Sequence, residues 1–412
     1  MEGAGQPANR PGFLDRAAVP SGGEQITCRL AGAWLFPPAG PASTVRRMTS
    51  TLRSKVSAPR RTTAALAAVL PLSLGLAALP VSASAAGDPY WRQVHGGTQA
   101  SLRGLDAVSG QVAWASGSHG TVLRTTTGGR QWDRVGPAHT GRLQYRDLEA
   151  FDADTAVIMS IGNFPGSFRF YRTSDGGRSW QLGYQNREPQ AFYDCMGFSD
   201  RSHGLALSDP VDGKFRILAT DDGGRSWQVQ PRAGMPPALP GEFAFAASGT
   251  CLVTQGTDAW FATGGGDRAR VFRSTDGGRT WTAYDTPVRS GPTAGIYSLA
   301  FRDRLHGIAV GGDYTMPETA PRALAVTADG GRTWTLVGGG NAPGDYRSGA
   351  AYRPGTGGTA IVVGPTGSDI SYDGGFHWHR FDAGSFNAVD CAADGSCWAA
   401  GPEGSVARLD RR

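Results

Sequence analysis

From residue 88 onward the chain is written in short runs. In each, apolar and β-branched residues alternate with polar ones, and Gly, Ser, Asp or Pro ends the run. The first set is Leu105–Val108, Val112–Ser116 and Thr121–Thr125. Period-two alternation over so few residues predicts half-buried strands, and the breakers between them predict tight turns. No segment beyond residue 88 keeps a helical period. The 61 glycines among 412 residues agree with this. Helical bundles and coiled coils avoid glycine, which costs about 1 kcal/mol per helical site.

The first 86 residues follow another pattern. Arg53, Lys55, Arg60 and Arg61 precede an apolar stretch from Ala64 to Leu79, interrupted by Pro71 and Gly75. Ala83-Ser84-Ala85 follows as an A-x-A cleavage site. This is the layout of a secretory signal peptide, too short and broken for a membrane span. A start at Met48 gives the signal an ordinary length. Residues 1–47 are then an over-extended gene start or a disordered extension, 48–86 the signal, and 87–412 the mature domain. Cleavage near Ala85 predicts a secreted or extracytoplasmic protein. Arg60-Arg61 leaves the twin-arginine route open beside the general secretory one.

Charge follows the same division. The chain carries 40 Lys+Arg against 35 Asp+Glu. Residues 1–86 hold nine of the basic and three of the acidic groups, leaving 31 and 32 in the remainder. The basic balance therefore belongs to the leader, and neither a basic run nor aromatic-basic interleaving suggests nucleic acid. The mature chain reads as soluble, without a stable membrane span, and as a monomer.

The strongest signal is a repeat. The string S/T-x-D-x-G-x-x-W appears at Thr173–Trp180, Thr220–Trp227, Ser274–Trp281, Thr327–Trp334 and Ser371–Trp378. A sixth copy, Thr125–Trp132, has Thr127 in place of Asp. Short strand-like runs precede each copy and one follows it, which makes four strands per unit at the spacing of a propeller blade. Phe386–Cys391, Cys397–Gly401 and Ser405–Leu409 supply three strands of a seventh unit. Tyr90–Val94 supplies an isolated fourth. The predicted fold is all-β: a seven-bladed β-propeller of four-stranded blades, its ring closed by the N-terminal strand pairing in the last blade.

The repeat resembles the Asp box, or bacterial neuraminidase repeat. The carboxylates Asp175, Asp222, Asp276, Asp329 and Asp373 fix tight turns by accepting N–H groups, and the paired glycines permit the backbone conformations these turns need. The resemblance implies that the box joins the third and fourth strands, on the face opposite a binding rim, and that it is structural. Blade order, export signal and the D-G-G-R-[ST]-W form resemble the photosystem II stability/assembly factor-like propellers over residues 88–412. Secreted relatives of that family are sometimes labelled oxidoreductases. The sequence gives that label no support: Gly355–Ala360 has a loose GxGxxA form but leads into the strand-like Ile361-Val362-Val363 rather than a helix. No cofactor is expected.

Function in a propeller sits at the channel mouth. Aligning the units places Arg103, Arg146, Tyr193, Glu242, Ile296, Arg347 and Phe386 at one level. The carboxylates Asp106, Asp147, Glu149, Asp194 and Glu242 accompany them. A second set lies in the loops between second and third strands: His119, Asn163, Phe164, Asp209, Asp212, Lys214, Trp260, Asp313 and Tyr314. Arg103, Arg146 and Arg347 suit an anion or carboxylate, which arginine grips bidentately. Alternatively they and the carboxylates neutralise one another around a water-filled channel. Asp209 and Asp212 are oxygen ligands of the kind Ca²⁺ takes but too few, so no metal is expected.

Two functions follow. The first is a noncatalytic propeller that binds a protein or other extracytoplasmic ligand, anionic or carbohydrate, through Arg103, Arg146, Arg347, Asp209, Asp212, Asp313 and Tyr314. In the resembled family an Arg-rich mouth helps recruit a membrane-protein partner during assembly. The alternative is a glycoside hydrolase of sialidase-like or other Asp-box type, with Tyr193 as nucleophile, Glu242 or Glu149 as base and Asp194 or Asp106 as acid. The sialidase Arg-Ile-Pro signature is missing, with Arg216-Ile217-Leu218 the nearest string. Cys391 and Cys397 flank a tight turn and are placed for a cross-hairpin disulfide. Cys195 and Cys251 read as free buried thiols, and Cys28 lies in the leader. His203 and His306 share a His-Gly context and read as turn residues.

Overall fold

The computed structural model describes residues 87–162 and 164–411. The segment expected to hold an export signal and its cleavage site, together with Cys28, lies outside the described residues, as does Asn163. Seven four-stranded antiparallel sheets make up the domain. Their innermost strands are Leu102–Ala107, Gln144–Ala150, Tyr193–Phe198, Leu252–Gln255, Ala294–Phe301, Gly349–Tyr352 and Ala388–Cys391, which define blades 1 to 7. Among the described residues there is no α-helix.

Burial grades outward as the residue pattern requires. Second strands such as Ala156–Ile161 are packed on both faces and read as continuous apolar runs. Fourth strands are short and polar; Asp133–Arg134, Gln228–Val229 and Thr335–Leu336 span two residues each. Edges this short offer little template for pairing with another chain. The core lies in layers between blades. Trp180 of blade 2 packs edge-on against Trp114 of blade 1, and Trp132 of blade 1 against Trp398 of blade 7.

Each Asp box is a closed hydrogen-bond unit. In blade 5, the Thr327 hydroxyl accepts the Gly331 N–H at 2.9 Å and donates to Asp329 at 2.9 Å. Asp329 Oδ1 in turn accepts the Thr333 N–H at 2.9 Å. Gly330 and Gly331 stand at φ 78° and 84°, the left-handed region that side chains with a Cβ avoid. Gly330 N–H also reaches back to the Leu305 carbonyl, in the turn between the first two strands of its own blade. In blade 1, Thr127 makes the Asp contact through its hydroxyl, which accepts the Gln131 N–H at 3.0 Å.

Blade 7 is assembled from both ends of the chain. Pro89–Gln93 pairs antiparallel with Val406–Arg411, Arg92 standing opposite Arg408. In the other blades the matching register pair joins the residue before the box Ser/Thr to the residue after the box Trp, as in Arg273↔Thr282 and Arg124↔Asp133. No box turn exists here. The Gly395 carbonyl, where the other blades place the carbonyl that accepts a box glycine N–H, accepts Arg353 Nε instead, at 2.8 Å. A polar cleft of about 250 Å³ opens beside it, lined by Arg353, Asp394, Ser396, Arg408 and Asp410.

Two disulfides are formed. Cys391 and Cys397 face each other across a hairpin, Cα atoms 4.1 Å apart. Cys195 and Cys251 also pair, Cα atoms 6.0 Å apart. The reading of these two as free thiols is therefore corrected. Fifty-six residues separate them in sequence, but the innermost strands of blades 3 and 4 lie side by side.

Candidate functional site

Blade 4 departs from the aligned register. Its innermost strand is Leu252–Gln255, so Glu242 is not at the level of Arg103 and Arg146. The intervening residues 239–250 form a strap across the channel mouth. Ala244 N–H donates to Asp209 of blade 3 at 3.0 Å, and Phe243 pairs with Gly264 of blade 4. Phe245 stacks on Tyr297 of blade 5 with ring centroids 3.9 Å apart. Ser248 Oγ donates to the Ser348 carbonyl of blade 6 at 2.7 Å. Arg103 of blade 1 donates to the Ala247 carbonyl at 3.3 Å, and Arg146 of blade 2 to the Ala246 carbonyl at 3.4 Å. A segment touching six blades must cross their common axis. Gly249, at φ 84°, passes so close to Asp147 that a Cβ would lie 2.2 Å from its Oδ1.

The three expected arginines divide. Arg103 and Arg146 are neighbours on adjacent innermost strands, and no carboxylate pairs with either among the described residues. Burial lowers both pKa values, and Arg103 beside it pushes that of Arg146 further down. Two like charges, half-buried and bonded to neutral oxygens, make a local field that an anion would relieve. Arg347 does not share in this. It is 2% exposed and reaches Asp369 through Nε at 2.7 Å and Asp345 at 3.8 Å, so its charge is already matched.

Channel carboxylates cluster on blades 7, 1 and 2. Each accepts a main-chain N–H from the next blade: Asp390 from Ala107 at 2.8 Å, Asp106 from Ala150 at 2.8 Å, and Glu149 from Phe198. Asp147 accepts from Met196 at 2.6 Å and Leu148 at 2.8 Å. The sheets of four neighbouring blades are thus joined at their inner edges by side chains. Burial raises the pKa of all four acids. Asp390 adds to the rise at Asp106, and Asp106 and Asp147 add to it at Glu149. Asp147 is pushed up to about 7, its two N–H donors limiting the rise. Among the described residues no three His, Cys, Asp or Glu side chains stand close enough together to hold a metal ion.

The groups expected to act in hydrolysis are held in different places. Tyr193 is fully buried among Phe168, Phe170 and Tyr184, and burial raises the phenol pKa, which opposes a nucleophilic phenolate. The Glu242 carboxylate is bonded to Arg270, to the Thr263 hydroxyl at 2.7 Å and to the Leu239 N–H at 2.8 Å. It anchors the strap. Asp194 is 1% exposed in the same strand as Tyr193. Glu149 stays in the carboxylate ladder.

The second set of residues is dispersed. Asp209 holds the strap. Asp212, at φ 50°, pairs with Arg232 at 3.0 Å, and Lys214 donates to the Arg232 carbonyl. Asp313 accepts from the N–H and hydroxyl of Thr315, and Tyr314 borders the Phe245–Tyr297 cluster. His119 is exposed at φ 57°, and Phe164 lies under the Arg142 guanidinium. Trp260 was expected in a rim loop. It is instead fully buried in the second strand of blade 4 (Asp258–Ala262), stacked on Phe301 and bonded to the Gly330 carbonyl of the blade 5 box. The strap was missed because Phe243-Ala244-Phe245 reads like a strand. The signal that could have revealed it was the proline-rich stretch from Pro231 to Pro240, which separates the end of blade 3 from the strand Leu252–Gln255.

Comparisons with known proteins agree with this architecture. Residues 272–283 match the BNR/Asp-box repeat family. No curated protein sequence matches the chain. Among solved structures it is similar to YCF48 bound to a D1 peptide, at 14% identity and TM-score 0.55, covering 77% of this chain and 94% of that one. YCF48 from Cyanidioschyzon merolae is similar at 16% identity and TM-score 0.57, covering 77% and 98%. A GH74 xyloglucanase from Xanthomonas campestris is similar at 15% identity and TM-score 0.56, covering 77% of this chain and 53% of the enzyme. At such identities the likeness is one of fold. The chain is a seven-bladed β-propeller, and the turn region of its fourth blade, residues 272–283, matches the BNR/Asp-box repeat.

Proposed function

We propose that this propeller is an exported, noncatalytic binding protein, acting as a monomer, that takes a protein segment with acidic character on the face where its innermost strands begin. The observation that carries the reading is the pair Arg103 and Arg146, adjacent, half-buried and without a carboxylate partner. Both already donate to main-chain carbonyls, the groups every protein segment presents. The fold-level likeness to YCF48 with a bound D1 peptide supports the reading, as does the commitment of Tyr193 and Glu242 to other contacts.

The likeness to a GH74 propeller keeps one alternative in view, with Asp106 or Glu149 as a protonated acid. One experiment separates the two. Residues 87–412 are presented with an array of acidic and neutral decapeptides, and separately with a panel of aryl glycosides. The binding reading expects saturable capture of acidic peptides, lost in the Arg103→Ala and Arg146→Ala variants with unchanged melting temperature. Turnover of a glycoside that disappears in Glu149→Gln would replace it with a hydrolase.

A further inference from the structure

The strap is held at both ends by a buried ion pair and a disulfide, and between them by hydrogen bonds and ring packing. At one end the Glu242 carboxylate is bound by Arg270 and Thr263. At the other, Cys251 is joined to Cys195. Gly241 at φ 73° and Gly249 at φ 84°, both left-handed, stand near these anchors. The run between is Phe243-Ala244-Phe245-Ala246-Ala247-Ser248, small apart from its two aromatics. Its polar contacts include ones that any extended segment could make: the main-chain pairing of Phe243 with Gly264, one N–H to Asp209, one hydroxyl to the Ser348 carbonyl, and two carbonyls to Arg103 and Arg146 at the long end of hydrogen-bond distances. One side chain supplies most of the specificity. Phe245 is 2% exposed, stacked on Tyr297, which meets Tyr346 edge-on at 4.8 Å.

We infer that the strap is a resident self-ligand. The mouth is a site for an extended protein segment that sets an aromatic side chain on Tyr297 and lays its next two carbonyls on Arg103 and Arg146, and an incoming segment of that kind displaces residues 243–249. This rests on the reading of the same face as the binding face, and it adds a partner chemistry and a gate. The partner carries an aromatic residue followed by small ones. The gate is the Phe245 latch, which keeps the arginines occupied until a better segment arrives. A tethered occupant competes at a high effective concentration, so it lowers the apparent affinity for any partner by the fraction of time the mouth is open.

Two measurements test it on the mature chain. In hydrogen exchange, the amides of Ala246 to Thr250 are expected to exchange at least ~100-fold faster than those of the second strands, by local opening. Exchange only together with the core would overturn the proposal. In the second, a fluorescein-labelled peptide of residues 241–250 is titrated against wild type, Phe245→Leu and Phe245→Ala. At least ~10-fold tighter binding to the latch variants is expected, abolished by adding Arg103→Ala with Arg146→Ala. If only Phe245→Leu folds, it carries the test. Equal or no binding to wild type and latch variant would overturn the self-ligand, while capture of acidic decapeptides by wild type would leave the binding face itself intact.

Discussion

Trp91, on the first strand of the ring, stands directly opposite Leu409 on the last. Their register is that of Trp281 and Ser274 in blade 4, where a box turn connects the two positions. Trp91 is thus the seventh tryptophan of the series, delivered by the opposite end of the chain. It packs on Phe381 and Phe386, and its Nε1 donates to Ser368 Oγ at 2.9 Å. Trp91→Ala is expected to cost about 3–5 kcal/mol, the usual range for a buried tryptophan. Urea unfolding would read this as a lowered midpoint.

The Glu242–Arg270 pair makes a sharper prediction. Its oxygens and guanidinium are almost wholly buried. Glu242→Gln leaves a buried cation unmatched and is expected to cost about 3–5 kcal/mol, whereas the double change Glu242→Gln with Arg270→Met costs well under the sum of the two single changes. A double-mutant cycle by chemical denaturation checks it. A null cycle would mean that the pair does not hold the strap.

Acidity acts in two directions. Asp147, Asp106, Glu149 and Asp390 have folded pKa values above the unfolded ones, so the folded form binds the extra proton and stability falls as pH rises from about 4 towards 7 and beyond. Glu149→Gln keeps an acceptor for Phe198. It is expected to raise the melting temperature at pH 8 and leave it unchanged at pH 4. The Asp boxes run the other way: hydrogen bonds from Ser179 hold Asp175 at about 2, and at Asp373, also about 2, the His377 contacts outweigh burial. Their contribution is complete above pH 4 and lost as pH falls towards 2.

Blade 1 offers a gain. Thr127 contacts Gln131 through one hydroxyl, whereas the aspartate of the other boxes binds with two oxygens. Thr127→Asp together with Gln131→Thr, which supplies the hydroxyl that the second oxygen accepts in blade 5, is expected to stabilise the protein by about 0.5–1 kcal/mol, the worth of one added hydrogen bond. Calorimetry would detect it as a raised melting temperature.

The disulfides differ in reach. Chain-entropy reasoning gives about 4 kcal/mol for Cys195–Cys251, whose ends are 56 positions apart, and about 2 for the short Cys391–Cys397 loop. Cys195→Ala with Cys251→Ala should therefore lower the urea midpoint more than the matching change at 391 and 397.

What the sequence revealed and withheld follows from range. The box is local: Ser/Thr, Asp, two glycines and Trp lie within eight residues and make most of their bonds to one another, so the pattern announces the blade. Strand count and closure followed from that. The strap and the Cys195–Cys251 bond are not local. Glu242 looks like a strand-start carboxylate until Arg270, 28 residues on, is seen to hold it. The arginines were legible as residue types at equivalent positions, but the sequence could not say that Arg347 would find Asp369 while Arg103 and Arg146 would find only carbonyls.

Closure by the two ends also sets an order of events. Arg92 and Asp410, hydrogen-bonded in the finished ring, are 318 residues apart. A chain made from its N-terminus presents Trp91 first and Leu409 last, so the earliest strand waits for most of synthesis before it has a partner. Blades 1 to 6 can assemble from neighbours as they appear, while the seam stays open until the final few residues arrive. A chain that stops short of Val406 has no partner strand for Trp91, and its first strand is then left as an unpaired edge, open to pairing with another chain.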